Sequence, residues 1–336
     1  MSVDIIITTF NRAERASQTV QQFLKLKNPF FDHIIVVDST DGLSATDYPD
    51  DNKVLYVRST HKNQTYQRFL GYTRSGADIL LYLDDDMDLL DEGGLCSELL
   101  RFDCKEITGI SFGFRNDNVF LAEIPKNVTA ELGGVVGRVL KGFTGAPVIA
   151  ANLFWLCGLR GKREGGKPIE YLQGGAFAVR RSKLYQDFNF CLFDLFEQKI
   201  GMGEDVILGH GLSKQGVVWA AEGETFYHND QEDSSYTIDL YFFNRRVACS
   251  RLFLSLEFAR LSGRRAFLAR LHYQWYMIWR TAGLFLSLVV HPNRGRWDSL
   301  RGWLAGWWCA LMWKPRTQEA AAQFWVEEME KDLDNA

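Results

Sequence analysis

Leu81-Tyr82-Leu83-Asp84-Asp85-Asp86-Met87-Asp88 is the stretch that decides how this chain is read. The apolar run leading into it, Ile79 to Leu83, has the length and residue types of a strand buried on both faces, as in a parallel sheet. The acids then fall at the strand's C-terminal end, where open α/β sheets bind ligands. Carboxylates this close repel one another and stay ionised together cheaply only with a cation between them. A hard divalent cation, Mg²⁺ or Mn²⁺, with oxygen ligands and a diphosphate on its far side, suits such a cluster. A solvated acidic turn is the plainer account of three aspartates alone, and the rest of the chain argues against it.

Working outward, Val3 to Thr9 is a β-branched strand run, and Asn11 to Lys27 has helical spacing with Asn11 as the expected N-cap. His33 to Asp38 reads as a second strand closed by the turn Ser39-Thr40-Asp41-Gly42, and Val54 to Val57 as a third. A helix is expected over Thr65 to Ser75. This β-α-β-loop-β-α-β order within 90 residues predicts a Rossmann-like parallel sheet. Further on, strands are expected at Glu106 to Phe114, Val119 to Ile124, within Leu172 to Arg180 after Gly174-Gly175, and at Val217 to Ala221 and Glu224 to Tyr227. Asp205 to Lys214 reads as a short helix, and 133–168, rich in Gly and basic residues, as loops around a site.

The 336 residues are 46% hydrophobic and 24% charged, an ordered globular composition. The net charge of −4 conceals an asymmetry. Residues 241–316 hold thirteen Lys/Arg against Glu257 and Asp298, a net +11, so the remainder carries −15. Six scattered cysteines form no C-x-x-C pair, which fits neither a zinc site nor a disulfide framework and suits a reducing compartment. Met1 leads straight into a strand without a secretory signal, so a cytoplasmic location is expected. No nucleic-acid module is apparent, because the basic residues alternate with apolar ones in a helical tail.

Several motifs now fall in one order: Ile5-Ile6-Ile7-Thr8-Thr9-Phe10-Asn11-Arg12, Val36-Val37-Asp38-Ser39, Gln67-Arg68, Leu83-Asp84-Asp85-Asp86, Gln173-Gly174-Gly175, Gly203-Glu204-Asp205 and Phe226-Tyr227-His228. Together they resemble the inverting glycosyltransferases of family 2, of the bacterial surface-polysaccharide type, over about residues 1–230. The resemblance implies a GT-A fold: an α/β, Rossmann-like, mostly parallel sheet flanked by helices. It implies a domain over 1–232, followed by a helical, basic, Trp-rich segment over 233–336.

The resemblance also distributes roles. Asp84 and Asp86 match the two acids of the D-x-D motif, with Asp84 toward the sugar or ribose and Asp86 toward the metal. Asp85 and Asp88 are second-line or solvated charges. Thr8, Thr9 and Arg12 lie where the family wraps the nucleotide, and Asp38 where an acid reads the base. The usual second acid there is Ser39, which leaves purine and deoxythymidine donors open. Arg68 matches an arginine near the diphosphate, for which a planar fork is suited. Gly174 and Gly175 permit close approach of backbone to a sugar, and equally any tight turn. Inverting displacement needs one general base on the acceptor hydroxyl. Asp205 matches that base, and Glu204 would hold an acceptor hydroxyl. An acid stabilised at a helix N-terminus is the alternative for this pair. His228 matches a third metal ligand, with Tyr227, Asn229 and Asp230 as alternatives.

The expected activity is therefore a Mn²⁺- or Mg²⁺-dependent transfer of a hexosyl or deoxyhexosyl group from a nucleotide-sugar donor to a glycan or lipid-linked acceptor. The alternatives are a non-catalytic scaffold with the same fold and a nucleotidyltransferase, although this chain lacks the triphosphate loop that the latter would place after its first strand. From about Tyr236 the chain becomes helical, and seven of its ten Trp fall between Trp275 and Trp313. Leu271 to Val290 is barely long enough to span a bilayer and is interrupted by Arg280, and Trp303 to Trp313 is too short. Trp with Arg is the composition of helices that lie in anionic headgroups. The expectation is a peripheral association with the inner face of the cytoplasmic membrane, with packing on the sheet or between copies as the alternative.

Overall fold

The computed structural model describes residues 1–27, 29–42, 45–115, 165–229 and 239–334. Its centre is β1 (Val3–Thr9), every residue of which is buried. Parallel neighbours flank it, β2 (His33–Asp38) on one side and β4 (Ile79–Asp84) on the other, and β3 (Val54–Arg58) runs parallel outside β2. Beyond β4 the sheet becomes mixed. β9 (Ala176–Arg180) lies antiparallel between β4 and β6 (Ile107–Ser111), β10 (Val217–Ala220) is parallel to β6, and β8 (Lys167–Ile169) closes the edge antiparallel. Among the described residues the order is β3-β2-β1-β4-β9-β6-β10-β8, so strand order reverses at β1/β4. That reversal opens a crevice at the strands' carboxyl ends.

Both faces of the central strands are covered, which is why they read as unbroken apolar runs and not as alternation. Ile6, Ile35, Val37, Leu80 and Tyr82 point into one core; Ile5, Ile7, Ile34, Val36 and Leu81 point into the other. Helix α1 (Ala13–Leu24) seats Ala16, Val20 and Phe23 in the second core, and α2 (Gln64–Arg74) seats Phe69 and Leu70 in the first. Each fully buried side chain of this size contributes roughly 1.5–3 kcal/mol. Gly71 sets the approach of α2 to β1: a Cβ there would come within 2.4 Å of Ile6 Cγ2.

The acidic turn leads into a second sheet, three-stranded among the described residues, of β5 (Met87–Leu89), β11 (Phe226–His228) and β7 (Phe114–Arg115). Helices α3 (Glu92–Leu99), α4 (Cys191–Glu197) and α5 (Glu204–Ser213) also belong to the body. The tail forms α6 (Leu240–Leu261), α7 (Ala266–Val290), α8 (Arg294–Met312) and α9 (Gln318–Asp334). Gly302 and Gly306 let α8 lie against α6, since a Cβ at either would fall within 2.3 Å of the Tyr241 or Arg245 carbonyl oxygen. The last helix returns to the sheet domain: Asp332 accepts from the Tyr66 hydroxyl at 3.0 Å, and the Trp325 indole donates to Asp194 at 2.9 Å. Among the described residues, no helix is long and apolar enough to cross a membrane.

Two expectations change. Asn11 is not the N-cap of α1: it sits at φ +57, its N–H donates to Thr40 Oγ1, and Arg12 occupies the cap position without a side-chain cap. The strand expected after Gly174-Gly175 is β9, which starts at Ala176 directly after Gly175 at φ +98. Glu106 to Phe114 is interrupted, so that β6 and β7 belong to different sheets. The strand expected at Val119 to Ile124, most of the 133–168 segment, Asp230 and Tyr236 lie outside the described residues.

Candidate active site

The strand register assembles the first half of the site. Thr8 of β1 pairs with Asp84 of β4, and Thr9 pairs with Asp38 of β2, so three strand ends meet at the crevice. The turn after β4 then buries Asp85 and Asp86, 1% and 2% exposed. Asp85 accepts from the Thr9 hydroxyl at 2.6 Å and pairs with Arg12 at 2.5 Å. The second guanidinium nitrogen of Arg12 reaches Asp86 Oδ2 at 2.9 Å. Burial pushes the Asp85 carboxyl up to about 7 against the pull of Arg12 and Thr9. For Asp86 burial acts in the same direction, but His228 and Arg12 overcome it and hold the carboxyl below its usual range.

His228 arrives by register. β11 pairs antiparallel with β5 so that His228 is opposite Met87, and the Asn229 N–H donates to the Asp86 carbonyl at 2.9 Å. His228 Nε2 therefore lies 3.3 Å from Asp86 Oδ1. That oxygen is buried and takes no other hydrogen bond. Neighbouring ligands on one ion with bonds of about 2.1 Å are separated by roughly this distance. Among the described residues no group of three or more His, Cys, Asp or Glu forms a metal cage. A carboxylate and an imidazole, with phosphate oxygens and water completing the shell, is the sparse protein donor set that suits Mg²⁺ or Mn²⁺ at a diphosphate. The residues present fit such an ion.

Arg68 joins the second half. It is 2% exposed on α2 and forks between Asp84 at 2.9 Å and Glu204 at 2.7 Å, with its guanidinium over the Phe177 ring. Burial would loosen its proton, but Asp84, Glu204 and Asp205 together hold its pKa above the ordinary value. Asp84 also accepts from Gln64 at 2.8 Å. Its carboxyl is nonetheless raised, chiefly by burial, with Arg68 opposing.

Glu204 and Asp205 open α5 behind Gly203, which adopts φ +86. Burial, then the charge of Glu204, pushes the Asp205 carboxyl up to about 7, against Arg68 and the N–H groups of Gly174 and Val206. The Gly174 N–H donates to Asp205 at 2.5 Å, and the next carbonyl, of Gly175, accepts from the Asp84 N–H at 2.9 Å. The glycine pair thus links the acid turn to the candidate base. Gly175 has two reasons to be glycine: its φ, and a Cβ that would lie 2.3 Å from Met87 Cε.

Asp38 ends β2 fully buried. Its Oδ1 accepts from the Thr40 N–H at 2.7 Å and its Oδ2 from the Tyr48 hydroxyl at 2.6 Å. Both oxygens are engaged within the protein, each with a lone pair left for a base N–H. Thr8 Oγ1 and Ser39 Oγ nearby are buried and take no hydrogen bond, so the crevice has polar atoms available to a ligand.

The structure therefore gathers Thr9, Arg12, Asp85, Asp86 and His228 around the turn, and Arg68, Asp84, Gly174, Glu204 and Asp205 around the arginine fork. Sequence reasoning missed Gln64, which holds Asp84, Tyr48, which holds Asp38, and Gln67, whose amide donates to the Thr9 and Val37 carbonyls at 2.8 and 3.0 Å. The spacing 64, 67, 68, 71 on one face of α2 was the signal that could have found the two glutamines.

The mixed α/β architecture, a large and mostly parallel central sheet flanked by helices and followed by C-terminal helices, is that of the GT-A fold. No family model matches the sequence, and no curated protein matches it. Among solved structures the chain is similar to S. aureus TarS residues 1–349, at 9% identity and TM-score 0.53, covering 100% of this chain and 89% of that one. It is also similar to the mannosyltransferase PcManGT from Pyrobaculum calidifontis, solved with GDP-Man and Mn²⁺, at 12% identity, TM-score 0.47 and coverages of 92% and 87%. Glucosyl-3-phosphoglycerate synthase from Mycobacterium tuberculosis, solved with Mn²⁺ and UDP, follows at 13% identity, TM-score 0.38 and coverages of 79% and 81%. The TarS match carries the fold assignment.

Proposed function

We propose that this chain is a divalent-metal-dependent, inverting glycosyltransferase. It moves a hexosyl or deoxyhexosyl group from a nucleotide-sugar to a hydroxyl of a glycan or lipid-linked glycan in cell-surface polysaccharide synthesis. The observation that carries the reading is the Arg68 fork. One buried guanidinium ties the acid turn to Glu204, beside an Asp205 whose carboxyl is raised to about 7. A base poised near neutral pH is what deprotonation of an acceptor hydroxyl requires.

In this reading Asp205 accepts the hydroxyl proton while the acceptor oxygen bonds to the anomeric carbon. The bond from that carbon to the diphosphate oxygen breaks on the opposite side, and the nucleoside diphosphate departs. Glu204, held by Arg68, positions the acceptor hydroxyl. Arg68 lies beside Asp84 and contributes fixed positive charge where the diphosphate leaves. A divalent cation held by Asp86 and His228 supplies, when bound, charge neutralisation to the leaving group. Thr8, Thr9 and Arg12 line the strand end where the nucleotide docks, and Asp38 with Tyr48 forms the polar end of the base pocket.

The test is a panel of nucleotide-sugars, assayed for binding and slow hydrolysis with Mn²⁺, with Mg²⁺ and with EDTA, beside Asp86→Ala and Asp205→Asn. Metal-dependent binding of one donor that Asp86→Ala abolishes and Asp205→Asn retains supports the assignment. A folded protein that binds no donor in any arm overturns it.

A further inference from the structure

The tail helices carry apolar residues on the wrong side. On α7, Phe267, Leu271, Trp275, Ile278, Phe285 and Val289 are 41–67% exposed, although Ala269, Tyr273, Met277 and Leu284 already face the protein interior. Their intervals of three and four, completed by exposed Ala282 between Ile278 and Phe285, put them on one face of the helix. This row is about 33 Å long at the helical rise. On α8, Trp297, Leu304, Trp308 and Leu311 repeat the arrangement at 43–66% exposure. The glycines that meet α6, Gly302 and Gly306, lie roughly half a turn away from the α8 row. Tyr273, whose hydroxyl donates to the Ala248 carbonyl of α6, stands in the same relation to the α7 row. Both rows thus look away from α6. Contiguous exposed apolar surface of this extent marks an interaction site.

The charge around the rows identifies the occupant. Arg264, Arg265, Arg270, Arg294 and Arg301 are exposed in or beside these helices, and from 264 to 316 the single acid is Asp298. Two such faces brought together as a dimer would repel. Aromatic and aliphatic side chains rimmed by arginine complement a surface that is apolar beneath and anionic above, which is an acidic lipid bilayer. We infer that α7 and α8 form a monotopic membrane-docking face, with their exposed rows inserted below the headgroups of an anionic leaflet and the arginines on the lipid phosphates.

Helix α6 ties this face to the site. Arg246 donates to the Gly201 carbonyl at 3.1 and 2.9 Å, and Leu254 lies against Gly203, directly before Glu204. The segment just before the carboxylate pair therefore packs on α6, the helix behind the docking face. The docking inference does not depend on the catalytic reading, because vesicle binding needs neither donor nor acceptor.

The experiment is vesicle flotation of the full chain, with phosphatidylcholine alone and with equal parts of phosphatidylcholine and phosphatidylglycerol. Binding to the mixed vesicles and not to the neutral ones, weakened by added salt, is expected. Arg265→Gln/Arg270→Gln/Arg294→Gln should lower the partition coefficient about fivefold per arginine, about a hundredfold in all. Phe285→Ser/Trp308→Ser should abolish flotation. All five positions are exposed, and an unchanged melting midpoint confirms that the variants fold. Absence of flotation with mixed vesicles, equal binding to both compositions, or a concentration-dependent dimer that the serine variant dissolves while vesicles stay unbound would each overturn the inference.

Discussion

Replacing Arg68 by methionine removes the cation that the structure places between Asp84 and Glu204. Methionine matches the length of the arginine stem and leaves the packing against Phe177 largely filled, so the variant isolates charge from volume. The pair is buried, with Arg68 2% and Glu204 8% exposed, so solvent screening offers no relief. Removing one partner of a buried ion pair costs about 3–5 kcal/mol, most of it the penalty of leaving the other charge uncompensated. Unfolding entropy is about 2.1 cal/mol/K per residue, so over 336 residues this is a fall of roughly 4–7 °C in the melting midpoint.

The same structure predicts partial rescue. In Arg68→Met the stranded charges are Asp84, still held by Gln64, and Glu204. Adding Glu204→Gln removes the worse of the two, so the double variant should recover about 1–3 kcal/mol relative to Arg68→Met. Arg68 also holds down the Asp205 carboxyl, so its loss should move the acidic limb of the rate profile to higher pH. The assays are thermal denaturation of the four proteins in one buffer and a pH–rate profile of the active ones. If Arg68→Met melts with wild type, or if Glu204→Gln destabilises Arg68→Met further, the fork does not hold the site as argued.

Asp205→Asn should lower kcat about 10²–10⁴-fold with little change in donor affinity, measured by turnover beside isothermal titration. Because Asp205 must be ionised to act and its carboxyl is raised to about 7, the wild-type rate should fall about tenfold per unit as pH drops below 7 and level off above it. Gly175→Ala should destabilise by about 1–3 kcal/mol from its positive φ alone, so trimming Met87 to Ala should not restore the melting midpoint fully. Tyr48→Phe leaves Asp38 Oδ2 without its hydroxyl donor inside a fully buried pocket, and should cost about 1–3 kcal/mol by denaturant titration.

The strands were legible because burial on both faces demands what sequence displays most plainly. Val3–Thr9 and His33–Asp38 end where their β-branched runs end. The acid cluster was legible for the same reason: charge directly after such a run has few explanations. Asn11 misled because N-cap propensity assumes an extended residue, whereas here the chain turns through φ +57 to let Arg12 reach Asp85 and Asp86. Helices α3 and α4 escaped because the first opens with Gly93-Gly94 and the second has seven residues, too short for a periodic pattern. Tyr48 and Gln64 escaped because their importance is tertiary, as each donates to a carboxylate at a strand end that no local periodicity connects to it.

The pairing of β5 with β11 shows why the cation side of the site is the harder half to read. Each strand has three residues, below the length at which alternation or propensity carries information. Their pairing joins residues 87–89 to 226–228, a contact that local sequence preference does not specify. Yet a slip of one residue would turn His228 to the other face of the ribbon and away from Asp86. What holds the register comes mostly from the residues that flank the two strands. The Asn229 N–H is fixed on the Asp86 carbonyl, its side chain donates to Asp88 at 3.0 Å, and the Thr225 carbonyl accepts from Leu90 at 2.9 Å. Backbone bonds at both ends of a three-residue ladder thus deliver the imidazole. The residue type at 228 could be guessed from sequence, but its 3.3 Å approach to Asp86 depends on hydrogen bonds of Asn229 and Thr225, which the motif does not contain.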